Sequence, residues 1–239
     1  MYFIVARSNY SYPNYFSEVL TMKVLIGQPI HENVIEQMEN EIKINKGIDI
    51  VLYPEGYLAN RKALECACKI AKDYNITIIT GYRHENKDRA VIISNQGEKV
   101  LDRTKTPPRE QEKLYPPLTI EYNGMTIGYL LCMEILKGMR DLKEISAKIN
   151  FIAHPIGVGM FSDEQFEEWI NEAKNIAKTY KTIIIGTSHA DGSFRNCGIS
   201  IPISYCIDSN GEAVFISKSD LRTRIVNLNT KEVEFAVNL

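Results

Sequence analysis

The chain has 239 residues, of which 44% are hydrophobic and 24% charged, and its formal net charge at pH 7 is −2. This composition is typical of a globular protein with one large domain or two small ones, and the charge gives no electrostatic reason to bind nucleic acid or an anionic membrane. No apolar run approaches the about 20 residues that a bilayer-spanning helix requires.

The fold is predicted to begin after an N-terminal extension. Residues 1–21 carry Ser, Asn, Tyr and Pro without periodicity, and they lack the basic and apolar regions of a secretory signal. The segment MKVLIGQP at 22–29 then begins like a buried strand. We therefore expect residues 1–21 to lie outside the fold and residues 22–239 to form its one domain.

Helical and strand patterns alternate through the first half of the domain. Residues 32–47 predict a helix that stops at Gly47, and residues 60–74 predict a second one. Apolar strands are expected at 48–55 and 76–82. The residues expected on the inward faces are Val34, Ile35, Met38 and Ile42 on the first helix and Leu64, Ala67, Cys68 and Ala71 on the second.

Two hairpins follow, and then the order repeats. RAVIIS and KVLDRTK flank NQGE, while LTIEY and MTIGYLLC flank Asn123-Gly124, a strong hairpin pattern. Ser162 and Gln165 predict a capping box at the start of a long helix, with Phe166, Trp169, Ala173, Ala177 and Tyr180 facing inward. The other predicted elements are a helix around 137–147 and strands at 149–155, 182–188, 198–208 and 212–219.

This element order predicts an α/β fold with two mixed sheets. Strands that are separated by helices pair mainly in parallel, whereas hairpins add antiparallel neighbours. Two such sheets packed face to face, with helices outside, would bury both sets of strands as a four-layer α-β-β-α sandwich. A three-layer sheet is the alternative, which the many strand residues in hairpins disfavour.

Three side chains at strand ends suggest thiol chemistry. Glu55 follows the strand IVLYP, Lys105 follows VLDRT, and Cys132 follows TIGYLL. Each alone has an ordinary explanation, as a solvated turn, a surface charge or core packing. A thiol with a pKa near about 8.5 needs a neighbouring base or cation to act at neutral pH, and a carboxylate with an ammonium group would supply both.

At these positions the sequence resembles the nitrilase, or carbon–nitrogen hydrolase, superfamily over residues 22 to about 230. DIVLYPEGYL, GEKVLDRTK and GYLLCMEI resemble the segments of its glutamate, lysine and cysteine. EEWINEAKNIAKTYKTIIIGTS resembles its long helix and following strand, and ISYCIDSNGEAV its late turn. The fold of this superfamily is the α-β-β-α sandwich, so the resemblance implies the same nitrilase-like architecture here.

The resemblance implies a catalytic triad. Glu55 matches the general base, Lys105 the cationic member and Cys132 the nucleophile, and catalysis would pass through a thioester without a metal or other cofactor. Lys105 and the Met133 N–H would stabilise an oxyanion, and Glu134 would orient the nucleophile loop.

A fourth glutamate is often found between the lysine and cysteine strands in this superfamily. Glu110 or Glu112 could take that place, and Glu112 is named as the possible auxiliary residue.

The implied activity is hydrolysis of carbon–nitrogen bonds other than peptide bonds. The expected partner is a small amide, N-carbamoyl compound or nitrile, with linear amides and N-carbamoyl compounds foremost. The segments PPREQEKLYPP and ILKG depart from the family pattern near the expected pocket, so the substrate stays open. The resemblance also implies a homodimer or higher homo-oligomer.

Cysteine usage favours a cytoplasmic location. The five cysteines are odd in number and lack the spacing of a disulfide framework, which favours reduced thiols. Apart from Cys132, they are interpreted as packing or strand residues: Cys66, Cys68, Cys197 and Cys206.

Two other classes remain as alternatives. One is a non-catalytic binding or scaffold protein with the same fold. The other is a metal-dependent phosphoesterase, which can use a similar sandwich, with Glu55, His154, His189 and Asp191 as candidate ligands. No close ligand spacing supports a metal site, so the two histidines are interpreted as strand-end residues with local hydrogen bonds.

Overall fold

The structure, a computed structural model, describes residues 22–32, 34–191 and 198–237. The predicted extension 1–21 and Cys197 therefore lie outside the described residues. The helices are α1 (Glu36–Ile44), α2 (Arg61–Tyr74), α3 (Ile135–Asp141) and α4 (Asp163–Tyr180). The strands are β1 (Lys23–Ile26), β2 (Ile50–Leu52), β3 (Thr77–His84), β4 (Lys87–Ile93), β5 (Lys99–Thr104), β6 (Thr119–Tyr122), β7 (Met125–Tyr129), β8 (Phe151–Pro155), β9 (Ile183–Thr187), β10 (Ile203–Ile207), β11 (Ala213–Lys218), β12 (Arg224–Asn227) and β13 (Val233–Phe235).

The strands form two mixed sheets. A seven-stranded sheet has the order β13-β12-β1-β2-β3-β4-β5, and a six-stranded sheet has the order β11-β10-β9-β8-β7-β6. The neighbours β1, β2 and β3 are parallel, as are β7, β8 and β9, and the other pairs are antiparallel. Helix-separated strands thus pair in parallel and hairpin strands in antiparallel fashion, as predicted.

Three groups of buried apolar side chains separate four layers. One group lies between the sheets and includes Leu52, Tyr129 and Cys206. A second lies between the seven-stranded sheet and helices α1 and α2, and a third between the six-stranded sheet and helices α3 and α4. The predicted α-β-β-α sandwich is confirmed.

Helix ends differ in detail from the prediction. Ser162 accepts a hydrogen bond from the Gln165 N–H, as expected, but Gln165 Oε1 accepts from the Phe161 N–H, one residue earlier than a capping box requires. The prediction that Val34 faces inward is wrong, because α1 begins only at Glu36 and Val34 is 53% exposed. Among the described residues, no helix combines the length and apolar character needed to cross a membrane.

Some boundaries were also wrong. The first helix ends at Ile44 rather than Gly47, and the helix expected at 137–147 is α3 followed by a 3-10 turn at Leu142–Glu144. Strand β7 ends at Tyr129, before Cys132. The C-terminal hairpin of β12 and β13 was not predicted.

Candidate active site

Glu55 and Lys105 meet beside the seven-stranded sheet. Glu55 follows β2, and Lys105 follows β5. Lys105 Nζ donates a hydrogen bond to Glu55 Oε1 at 2.7 Å; the Glu55 side chain is 3% exposed and the Lys105 side chain 21%. Burial raises the pKa of Glu55, although the charge and hydrogen bond of Lys105 oppose this. Burial also acts against the charge of Lys105, but the Cys132 sulfur and the Glu55 carboxylate outweigh it and raise the pKa of this ammonium group.

Cys132 comes from the six-stranded sheet. It begins a 3-10 turn (Cys132–Glu134) beyond β7, and its φ of +52° lies in the left-handed region that side chains rarely adopt. Its thiol is within hydrogen-bond reach of the Glu55 carboxylate and the Gly157 N–H. The structure therefore brings Glu55, Lys105 and Cys132 together from two different sheets.

The electrostatics favour a neutral thiol at rest. Burial and the charge of Glu55 raise the pKa of Cys132 to about 12, against the opposing effects of Lys105 and the Gly157 N–H. A thiol becomes nucleophilic when it loses its proton, and the Glu55 carboxylate lies where it can accept that proton. This arrangement can form a thiolate at the moment of attack without holding one at rest.

Glu134 links the end of β5, next to Lys105, to the turn that begins at Cys132. Its carboxylate accepts two hydrogen bonds from Arg103, at 2.8 and 2.6 Å, in an ion pair whose side chains are 2% and 1% exposed. It also accepts from the N–H groups of Thr106 and Leu131, which adjoin Lys105 and Cys132. Burial alone would raise the pKa of Glu134, but Arg103 and these N–H groups hold it below its ordinary value.

The other predicted site residues are Met133, Glu110 and Glu112. Met133 has an exposed side chain, and its backbone N–H belongs to the turn that Cys132 begins. Glu110 is exposed, whereas Glu112 has an Oε2 atom that is buried without a hydrogen-bond partner among the described residues. Lys137 of α3 donates to the carbonyls of Pro107, Arg109 and Glu112, which holds this loop against the helix after Cys132. The Glu112 carboxylate also accepts a hydrogen bond from the Tyr115 hydroxyl, and its auxiliary role stays a prediction.

A histidine cluster lies on the other side of Glu55. His189 Nε2 contacts the Glu55 carbonyl at 3.1 Å, and the His189 ring stacks on His31 with 3.7 Å between centroids and 10° between planes. Asp191 pairs with His31. His31 was missed from the sequence, because it stands alone in the loop after β1 and no spacing marks it.

This cluster has ligand atoms within 4.8 Å of one another, yet its geometry is poor for a metal. The lone pairs of an imidazole lie in the ring plane, so two stacked, nearly parallel rings do not direct them at one ion. Of the four candidate phosphoesterase ligands, only His189 and Asp191 belong to the cluster. His154 instead contacts the Cys132 carbonyl and Tyr205, and Glu55 contacts Lys105.

No family model matches the sequence, and no curated protein gives a significant match. Solved structures do resemble it. A cysteine-to-serine mutant of the Nesterenkonia AN1 amidase, described as from the nitrilase superfamily, has 13% identity and a TM-score of 0.70, covering 88% of this chain and 92% of that one. A carbon–nitrogen hydrolase from Helicobacter pylori G27 has 15% identity and a TM-score of 0.66, covering 88% and 90%.

A third similar structure is a glutamate-to-glutamine mutant of the amidase from Nesterenkonia sp. AN1. Its active-site cysteine carries the covalently added acetamide moiety of fluoroacetamide, and it shares 14% identity at a TM-score of 0.69, over 86% of this chain and 89% of that one. At these identities the likeness establishes the fold. The chain thus has the nitrilase-superfamily fold that its sequence motifs implied.

Proposed function

We propose that this protein is a carbon–nitrogen hydrolase that cleaves small non-peptide amides through a thioester on Cys132. The observation that carries the proposal is the contact of Glu55 with both the Lys105 ammonium and the Cys132 thiol, at a buried site built from two sheets. A base that contacts both a cation and a nucleophile supplies the parts that covalent acyl transfer requires.

In the acylation half, Glu55 takes the thiol proton as Cys132 Sγ attacks the carbonyl carbon of the amide. The carbonyl oxygen becomes an oxyanion, which Lys105 Nζ and the Met133 N–H stabilise. When the carbon–nitrogen bond breaks, the protonated Glu55 returns its proton to the leaving nitrogen. Ammonia or an amine departs, and the acyl group stays on sulfur.

In the deacylation half, Glu55 accepts a proton from a water molecule, whose oxygen attacks the thioester carbon. The same two donors stabilise the second oxyanion. The carbon–sulfur bond then breaks, the sulfur recovers a proton from Glu55, and a carboxylic acid leaves. In both halves of the reaction, the hydrogen bond of His189 Nε2 to the Glu55 carbonyl helps to hold the backbone of Glu55 in place.

Short linear amides are the first substrates to test. A cysteine-to-alanine mutant of the Nesterenkonia sp. AN1 amidase was solved in complex with butyramide, and this chain shares 14% identity with it at a TM-score of 0.67. N-carbamoyl compounds and nitriles present an electrophilic carbon to the same thiol, so they belong in the same screen.

A reducing, cytoplasmic setting suits this chemistry. The homo-oligomer that the family resemblance implies is part of the same proposal. The described cysteines Cys66, Cys68, Cys132 and Cys206 are all free thiols. A thiol nucleophile in an oxidising compartment would be exposed to oxidation or disulfide exchange.

The test is release of ammonia from a panel of small amides, carbamoyl compounds and nitriles, with Cys132→Ala as the blank. We expect release from at least one amide, none with the blank, and full activity after EDTA treatment. Equal release by the blank, or no release from any compound, would contradict the proposal. Activity that EDTA abolishes and a divalent ion restores would favour the phosphoesterase alternative.

A further inference from the structure

His154 lies directly beneath the nucleophile, on the helix-facing side of the six-stranded sheet. Its side chain is fully buried, and its ring lies 5.7 Å from that of Trp169 on α4. His154 Nε2 is 2.8 Å from the carbonyl oxygen of Cys132. That carbonyl also accepts the N–H of Ile135, so its two lone pairs have separate donors.

The hydrogen-bond chemistry fixes the tautomer of His154. A carbonyl oxygen can only accept, so Nε2 must carry the ring proton, and the neutral ring then accepts at Nδ1. The Tyr205 hydroxyl contacts Nδ1 and can donate to it. Tyr205 thus holds the proton of His154 on the nitrogen that faces Cys132.

One glycine makes this contact possible. His154, Gly186 and Tyr205 lie side by side on the adjacent strands β8, β9 and β10, because Gly186 is the register partner of both. A Cβ atom on Gly186 would lie 2.5 Å from carbon atoms of the Tyr205 ring. The missing side chain lets the Tyr205 ring cross β9 and reach His154.

The hydrogen bond from His154 to the Cys132 carbonyl also affects the direction of the Met133 N–H. The peptide unit that joins Cys132 to Met133 is planar and trans, so its C=O and N–H point in opposite directions. Holding the carbonyl toward His154, inside the helical layer, therefore directs the Met133 N–H toward the cleft. It also helps to hold Cys132 in its left-handed conformation.

We propose that His154, with Tyr205 behind it, is a positioning residue that orients the Met133 N–H as an oxyanion donor. This inference rests on the proposed hydrolase function, in which that N–H stabilises the tetrahedral oxyanion. Packing alone does not call for an imidazole here, since an apolar side chain would fill the space without the cost of burying two polar nitrogens. Burial lowers the pKa of His154 to about 4, which keeps the ring a neutral donor near neutral pH.

The first test compares two reactions of Cys132. Amide hydrolysis develops an oxyanion, whereas alkylation by iodoacetamide does not. We expect His154→Leu to lower kcat by about 10- to 100-fold, which is less than the about 10²–10³-fold cost of removing an oxyanion donor because the Met133 N–H is misaligned rather than lost, with KM and the alkylation rate changed by less than about threefold. His154→Gln keeps a donor near the position of Nε2 and should recover most of kcat. Ile207→Val, which trims the same buried cluster, provides the matched packing control.

Parallel loss of kcat and alkylation in His154→Leu would mean that the nucleophile turn itself has collapsed, and would overturn the inference. Unchanged kcat would also overturn it. If His154→Leu does not fold, Tyr205→Phe is the deciding variant, since it removes only a hydroxyl. It should lower kcat by less than His154→Leu would and leave alkylation unchanged, because the ring loses only the donor to Nδ1. Unchanged kcat, or equal effects on both reactions, would refute the role.

The second test does not require turnover. A ¹⁵N spectrum of the histidine rings in the full chain, assigned by comparison with His154→Gln, reports which nitrogen carries the proton. We expect Nε2–H. A proton on Nδ1 refutes the inference even if the enzyme is active. If the wild type hydrolyses no compound in the screen while the ring carries Nε2–H, the proposed function fails and the hydrogen-bond assignment stands.

Discussion

Cys132 holds its thiol on a backbone conformation that L-amino acids seldom adopt. Two neighbouring side chains stabilise this turn. Glu134 accepts a hydrogen bond from the Leu131 N–H, and His154 donates one to the Cys132 carbonyl. The sulfur then points away from the strand ladder toward Glu55. Buried polar contacts on both sides thus hold Cys132 in its left-handed backbone conformation.

Lys105 should be needed for turnover, and its loss should also lower stability because the buried Glu55 carboxylate loses its cation. Lys105→Met keeps the length of the side chain and removes the cation, so we expect kcat to fall by about 10²–10³-fold. The control is Lys113→Met, because Lys113 pairs with Glu144 at an exposed surface and should be dispensable. Rates of amide hydrolysis, measured after circular dichroism confirms folding, decide between them. Greater damage from Lys113→Met would show that the cationic member is assigned to the wrong lysine.

The acid limb of the activity profile should report Glu55. Because burial raises the pKa of Glu55 above the ordinary 4.5, this base becomes protonated and inactive at a higher pH than a solvated glutamate would. We expect kcat/KM to fall with decreasing pH, with a midpoint above 4.5. Glu55→Gln should lower activity at every pH and remove that limb. A limb that persists in Glu55→Gln would assign the titration to another group.

Single residues differ in how far the sequence reveals them. Glu55, Lys105 and Cys132 could be named because each stands at a strand end within a recognisable segment. The roles of Arg103 and His154 could not, since their partners Glu134 and Tyr205 lie 31 and 51 positions away in the sequence. Only the folded register of the strands shows which distant polar groups share a site.

At the level of elements, the buried ion pair of Arg103 and Glu134 joins the end of β5 to the turn after β7. Arg103→Met would leave a buried carboxylate without its cation, so we expect the free energy of unfolding to drop by about 3–5 kcal/mol. Arg61→Met is the matched control, since its partner Glu65 lies on an exposed helix face, and should cost less than about 1 kcal/mol. Urea unfolding of both variants measures the difference, and similar costs would refute a structural role for the buried pair.

Element types were easier to predict than their ends. The Asn123-Gly124 turn has φ values of +50° and +73°, as the hairpin pattern required. The start of α1 was misplaced because Val34 continues the apolar spacing of that helix while lying just before it. The spacing of apolar residues predicts which face of a helix is buried. The residue at which the helix begins depends instead on capping and loop contacts.

For the molecule as a whole, two buried histidines should make the fold sensitive to acid. Burial lowers the pKa of His154 to about 4, and burial together with the neighbouring His31 lowers that of His189 to about 3. Between pH 6.5 and these values the unfolded chain binds protons that the folded chain excludes, so stability falls as the pH falls. For His154 alone the loss at pH 5 is about 2 kcal/mol.

Urea unfolding at several pH values measures this effect. His154→Gln should reduce the pH dependence of the free energy of unfolding between pH 6.5 and 5, and the part due to His189 should remain. The control is Ile207→Val, which changes a buried side chain without removing a titratable group. An unaltered slope in His154→Gln would contradict the prediction.

The domain should also fold when the chain begins at Met22. Strand β1 begins at Lys23 between β2 and β12, and the Met22 N–H is bonded to Asn229, so both neighbours of β1 come from residues 22–239. We expect thermal unfolding at the same temperature with and without residues 1–21. A clear loss of melting temperature or solubility would show that the segment belongs to the fold.

Because the candidate site is divided between two sheets, the proposed activity should depend on how closely the sheets pack together. Glu55 and Lys105 follow strands of one sheet, and Cys132 follows a strand of the other. The Tyr129 hydroxyl donates a hydrogen bond across the interface between the sheets to the Thr80 carbonyl. A loosened, molten form could keep every helix and strand and still separate sulfur from carboxylate. The proposed hydrolysis would then be lost before the circular dichroism spectrum changed, because it requires residues from both layers to be in contact.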